Sequence, residues 1–143
     1  MVIYILMFGV LLALTVQDIR TKEISSRLLI ALAVISVIGA VIGLWRGNLS
    51  PVDLVISFIP GAILLLLSVI SRQQMGFGDG ITALILGPAF GIKIVTIGLL
   101  SAFFMGGIFS IILIITKEAR GKSRIPFLPF VTMGMVVACF AKI

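Results

Sequence analysis

The sequence contains no histidine and only one cysteine, Cys139. Without histidine, the chain has no HExxH zinc helix, no serine–histidine or cysteine–histidine hydrolase site and no histidine proton relay. A single cysteine forms no internal disulfide and no cysteine-based zinc module. We therefore expect no metal and no other cofactor. Acid–base chemistry must come from carboxylates, lysines, the one tyrosine or water.

Charge is also scarce, and acidic charge most of all. Only 11% of the 143 residues are charged, and the acidic ones are Asp18, Glu23, Asp53, Asp79 and Glu118. In contrast, 61% of the residues are hydrophobic, and the mean hydropathy is +1.36. A soluble domain is nearer half apolar and a quarter charged. The composition therefore predicts an all-α polytopic membrane protein, with residues 1–143 forming a single integral-membrane domain.

Apolar runs predict about six helices. The fourth run reaches only roughly 18 Å at 1.5 Å per residue, which is short for a bilayer core of about 30 Å. We expect this short helix to follow a glycine-rich loop and to be interrupted at Gly87-Pro88. Gly39 and Gly43 form a small-residue face for helix packing. The predicted helices cover residues 1–16, 28–45, 51–70, 79–90, 92–116 and 125–140.

The start of the third helix carries its own capping signal. Ser50 is the expected N-cap, Pro51 takes the first helical position, and Asp53 follows three residues after the cap. This role is sufficient to explain Asp53, so we do not expect it in a catalytic site.

The net charge of +6 comes from lysines and arginines in the short loops between the apolar runs, a placement that does not favour nucleic acid binding. The first, third and fifth loops hold three, one and four of them, and the second and fourth hold one each. The positive-inside rule then places the odd loops in the cytoplasm, against anionic headgroups, and the N-terminus outside. Asp18 and Asp79 consequently lie at the same face of the inner membrane, toward the cytoplasm. The most basic loop covers residues 117–124.

Asp79 lies in the glycine-rich stretch Met75-Gly76-Phe77-Gly78-Asp79-Gly80. Glycines allow another chain to approach closely. A carboxylate near the membrane is energetically costly, so its presence there indicates a functional role. Two structural interpretations stay open: Asp79 could cap the next helix, and Asp18 could pair with a neighbouring base. Two carboxylates at one face without histidine favour an aspartic peptidase pair, which shares one proton and activates water.

Three motifs resemble those of the type IV prepilin peptidases. Asp18-Ile19-Arg20-Thr21-Lys22-Glu23-Ile24 is similar to their first aspartate motif. Gly76-Phe77-Gly78-Asp79 is similar to the GxGD motif of the wider class of intramembrane aspartic peptidases. Ile125-Pro126-Phe127-Leu128-Pro129-Phe130 is similar to the start of their last helix. The order of the three motifs is also that of the family.

This resemblance implies removal of the short basic leader from prepilin-like, single-span substrates at the cytoplasmic membrane face. It implies Asp18 and Asp79 as the catalytic pair, Gly76 and Gly78 as the supporting loop, and two structural prolines, Pro126 and Pro129. With one cysteine and no extended loop, the chain resembles the short Flp/Tad-type enzymes, for which no methyltransferase activity is expected.

The chain departs from the family pattern at two places. Ser25 and Ser26 replace a common proline and asparagine, and Ile81 occupies a position that often holds lysine. Two alternatives stay open. A presenilin-type peptidase would have tyrosine where this chain has Gln17, and a small proton-coupled transporter or assembly subunit would use the same aspartates without cleaving anything.

Overall fold

A computed structural model describes residues 1–71, 76–117 and 125–141 of the chain. Within these ranges the regular structure is helical and contains no strand, which confirms the all-α prediction for them. Residues 72–75, which include Met75 of the glycine-rich stretch, and residues 118–124 of the basic loop lie outside the described residues. The helices are α1 (Val2–Thr21), α2 (Ser26–Trp45), α3 (Pro51–Ser57), α4 (Ile59–Ile70), α5 (Phe77–Ile115) and α6 (Leu128–Ala141).

Four segments of the described chain are long and apolar enough to cross a membrane. They are α1, α2, the stretch Pro51–Ile70 that contains α3 and α4, and α5; the shorter α6 is also apolar. Many large hydrophobic side chains on these helices are exposed, among them Ile30, Leu100 and Phe104. Lipid is the solvent that suits such a surface, so the chain is a multi-pass membrane protein. Six crossings and an external N-terminus stay predictions.

The first helix is longer than the apolar run that predicts it. α1 continues past Val16 to Thr21 and ends where Lys22 adopts a left-handed conformation, with φ 54° and ψ 21°. The Lys22 N–H donates to the Asp18 backbone oxygen at 2.9 Å, a bond typical of a left-handed helix end. Asp18 therefore lies inside the last turn of α1.

The predicted third helix is divided at Phe58 into α3 and α4. Pro60 is one of the first residues of α4, and its missing N–H cannot continue the hydrogen-bond ladder from α3. The predicted cap is confirmed, because the Asp53 N–H donates to Ser50 Oγ at 3.1 Å. The Ser50 hydroxyl in turn donates to Asp53 Oδ2 at 2.8 Å.

The predicted break at Gly87-Pro88 is wrong. Pro88 lies inside α5, and the non-helical residue is Gly91, with φ 79° and ψ 162°. Glycine adopts this positive φ without steric cost, so the chain leaves the helical conformation at Gly91. The predicted fourth and fifth helices are thus the two arms of α5, residues 77–90 and 92–115.

Helix α5 lies at the centre of the fold and contacts α2, α3, α4 and α6, while α1 packs between α2 and α6. The Ser36 hydroxyl of α2 donates to the Ile85 carbonyl of α5 at 2.5 Å. Gly39 packs against another helix as predicted, because a Cβ there would lie 3.1 Å from Ile3 Cγ2 of α1. Gly43 does not, because a Cβ there would meet Leu49 of the loop after α2 at 3.3 Å. The shared core joins α1, α2, α4, α5 and α6 and includes Met7, Leu11, Leu14, Leu32, Leu64, Leu86, Phe90, Leu128 and Met135.

Candidate active site

Asp18 and Asp79 line the same cavity, which has a volume of about 410 Å³. The two residues are 6% and 7% exposed, so each carboxylate is largely removed from the surface. The cavity is formed by the end of α1, the start of α2, the start of α5 and the segment before α6. Its other lining residues are Lys22, Glu23, Ile24, Ser26, Leu29, Gly76, Phe77, Gly78, Ile81, Ile125, Pro126 and Phe127.

Asp79 is placed by its own helix. It is the third residue of α5, and its N–H donates to the Gly76 carbonyl at 3.0 Å. The N-terminal turn of a helix carries the positive end of the helix dipole, which stabilises a carboxylate there. The side chain folds back over Gly76, since a Cβ on Gly76 would lie 2.7 Å from Asp79 Oδ2. Glycine at position 76 therefore leaves room for the carboxylate.

Gly78 makes room for a different group, the side chain of Ile24. A Cβ on Gly78 would lie 2.5 Å from Ile24 Cδ1 and 3.2 Å from its Cβ. Gly78 does not have the positive φ found at Gly47 and Gly91, so close approach explains this glycine. Ile24 is the last residue of the first aspartate motif. The contact therefore joins the chain segment that follows Asp18 to the first turn of α5, which carries Asp79.

Asp18 depends on another helix for its environment. It lies in the last turn of α1, where the negative end of that helix dipole disfavours a carboxylate. The Leu128 N–H donates to Asp18 Oδ2 at 3.3 Å. Leu128 is the first residue of α6, whose N-terminus brings the positive end of a second dipole to the carboxylate. This contact offsets the unfavourable position on α1.

Pro126 and Pro129 lie on either side of this contact. Pro126 lines the cavity, and Pro129 is the second residue of α6. Proline suits the first turn of a helix because the N–H it lacks would have no partner within that helix. Leu128, between them, keeps its N–H and directs it at Asp18. The sequence motifs do not mark Leu128 as a functional residue, although a hydrogen-bond donor would stabilise a carboxylate at a helix C-terminus.

Other charged and substituted positions are also located by the structure. Lys22 and Glu23 are exposed but line the cavity, whereas Asp53 lies at the start of α3 and does not. Ile81 lines the cavity, so an apolar side chain faces it where relatives of the predicted family often carry lysine.

The model of the type IV leader peptidase family matches residues 5–111. The chain belongs to the type IV leader peptidase family. The matched region contains both aspartates and the glycine loop and ends before α6. Searches among curated proteins and among solved structures found no significant match. Family membership implies a peptidase, and the apolar helices make this leader peptidase a multi-pass membrane protein.

Proposed function

We propose that this leader peptidase is an aspartic endopeptidase that removes the short basic leader from prepilin-like substrates. The observation that carries the proposal is the shared cavity: Asp18 and Asp79 come from separate helices, are both buried and line the same cavity. A carboxylate in or beside a membrane is costly, so two of them around one cavity favour a catalytic pair.

In the proposed mechanism the two carboxyl groups share one proton, because two close like charges are not both ionised. The ionised group accepts a proton from water as the water oxygen attacks the scissile carbonyl carbon. The protonated group donates to the carbonyl oxygen. Collapse of the tetrahedral intermediate breaks the C–N bond, and the amine leaves with a proton from the pair. The titration belongs to the pair, so either aspartate can begin as the base.

The lining of the cavity supports a substrate that is basic on one side of the cleaved bond and apolar on the other. Glu23 offers an anionic side chain for the basic leader, next to the cationic Lys22 on the same lining. Ile24, Leu29 and Phe127 offer apolar contacts for the hydrophobic segment that follows it. A single-span prepilin presents these two chemistries next to each other.

The proposal places cleavage at the cytoplasmic face of the inner membrane, with an external N-terminus and six crossings. The six crossings would be α1, α2, the α3–α4 stretch, the two arms of α5, and α6. Single cysteines in a Cys139→Ser background test this orientation: positions 22 and 121 should be labelled from the cytoplasm and position 48 from outside. Labelling of position 121 from outside would overturn it.

The decisive experiment incubates the purified protein in lipid vesicles with a candidate prepilin and sequences the new N-terminus. We expect one cut between the basic leader and the apolar segment. The same vesicles, loaded with a pH-sensitive dye, report proton movement. Proton flux without any cleavage of several prepilins would instead support the transporter alternative.

A further inference from the structure

Two buried threonines join α1 to α6 one helical turn away from the contact between Asp18 and Leu128. We propose that Thr15 and Thr132 are positioning residues, which hold the first turn of α6 in register with the Asp18 carboxylate. This inference rests on the proposed function, because it assigns the residues a part in the same reaction.

The hydrogen bonds form a continuous path between the two helices. Thr15 Oγ1 lies 2.7 Å from Thr132 Oγ1, and the two residues are 9% and 5% exposed. The Thr132 hydroxyl donates to the Leu128 carbonyl at 3.0 Å. Because a hydroxyl has one proton, Thr15 is then the donor to Thr132. Thr15 precedes Asp18 by three residues on the same helix, so the path begins and ends on α1.

Leu128 is held at both of its polar groups. Its N–H donates to Asp18 Oδ2 at 3.3 Å, and its carbonyl accepts from Thr132. A threonine hydroxyl that bonds the carbonyl four residues earlier changes the local geometry of a helix. Here that carbonyl belongs to the residue that touches Asp18. Apolar contacts resist separation of the helices but are not directional, whereas these hydroxyls fix the register of α6 along α1.

The first test measures kcat and KM for prepilin cleavage per folded molecule. Thr132→Val keeps the shape and removes the hydroxyl. We expect kcat to fall about tenfold, since a displacement below 1 Å at a reacting group has effects of this order. KM should change by less than about twofold, because the threonines lie outside the residues that line the cavity. Thr15→Val, on the opposite helix, should likewise lower kcat about tenfold and change KM by less than about twofold.

Two matched variants accompany this test. Thr132→Ser keeps the hydroxyl and should retain most of the wild-type kcat. Ser36→Ala removes another buried hydroxyl between helices, the donor to Ile85, and should leave kcat unchanged. A fall in kcat in Ser36→Ala equal to that in Thr132→Val would assign the effect to general loosening of the fold and overturn the inference.

The double variant Thr15→Val/Thr132→Val separates positioning from stability. Removing both hydroxyls leaves neither one buried without its partner, so thermal stability should return toward that of the wild type. We expect kcat to stay low. Recovery of kcat together with stability, or a wild-type kcat in Thr132→Val, would overturn the positioning role and leave the proposed function intact. A wild-type protein that cleaves no prepilin would overturn both.

Discussion

The two carboxylates of the cavity are held in different ways. Asp79 lies in the first turn of its own helix, where the local backbone favours a negative charge. Asp18 lies in the last turn of its helix and accepts a hydrogen bond from Leu128, 110 residues further along the chain. One half of the site is thus supported by neighbours in sequence, and the other by the packing of α6 on α1.

Substitutions should therefore impair the two halves of the site in different ways. Substitutions near Asp79 act directly on the first turn of α5. Substitutions near Asp18 act through the position of α6, which carries Leu128. The halves meet where Ile24 packs on Gly78. Variants of the two aspartates and of the residues around them therefore test whether the two halves of the site are coupled or independent.

The largest expected effect is at the carboxylates themselves. Asp18→Asn and Asp79→Asn should each reduce kcat by on the order of a thousandfold or more, because neither amide can exchange the shared proton. The two variants should lose kcat to the same extent, although the two aspartates are held in place by different helices. Prepilin cleavage per folded molecule is the measurement. Asp53→Asn is the control, with normal kcat and a cost in stability of up to about 1 kcal/mol. A near-wild-type rate in either catalytic variant would disprove the two-aspartate mechanism.

A smaller effect is expected at the contact between the halves. Gly78→Ala places a methyl group 2.5 Å from Ile24 Cδ1 and 3.2 Å from Ile24 Cβ, which side-chain rotation cannot move away. It should lower kcat about a hundredfold by displacing the first turn of α5, which carries Asp79. Ile24→Val removes that Cδ1 atom, so the double variant should regain part of the lost rate. The double-mutant cycle measures this coupling directly.

Gly107→Ala is the matched control for Gly78→Ala. Apart from its chain neighbours and the nearby backbone of α5, no atom lies within 4 Å of the added methyl group. Helix α5 should gain up to about 1 kcal/mol in stability without a change in kcat. Normal turnover of Gly78→Ala with lowered stability would show Gly78 to be an ordinary turn glycine.

Gly76→Ala should have a weaker effect than Gly78→Ala. The added methyl group would lie 2.7 Å from Asp79 Oδ2, the end of a side chain that can rotate away. We expect kcat to fall about tenfold, because the carboxylate moves while the first turn of α5 stays in place. Single-turnover cleavage rates of the two alanine variants make the comparison. A larger loss in Gly76→Ala than in Gly78→Ala would reverse the importance that we assign to the two glycines.

The smallest effect concerns a cap away from the cavity. Ser50→Ala removes the acceptor of the Asp53 N–H and should destabilise the protein by about 1 kcal/mol, measured by thermal unfolding in detergent. Cleavage per folded molecule should not change, because α3 does not line the cavity. A reduced rate would mean that the start of α3 affects the catalytic pair.

Features that depend on neighbouring residues could be predicted from the sequence. The composition determines a helical membrane protein, since only helices or closed barrels satisfy the backbone in lipid. The Ser50-Pro51 signal determines the start of α3, and the glycines before Asp79 place that carboxylate in the first turn of a helix. The first inference rests on the composition of the whole chain, and the other two each span only a few residues, over which local geometry dominates.

Only the tertiary structure decided how distant segments meet. The contacts of Asp18 with Leu128, of Ile24 with Gly78 and of Thr15 with Thr132 each join residues from different parts of the chain. The break in α5 also lies at Gly91 and not at the predicted Gly87-Pro88, and Gly91 has a positive φ that glycine adopts without steric cost. Such contacts depend on the fit between whole helices, and no short pattern of residues encodes that fit.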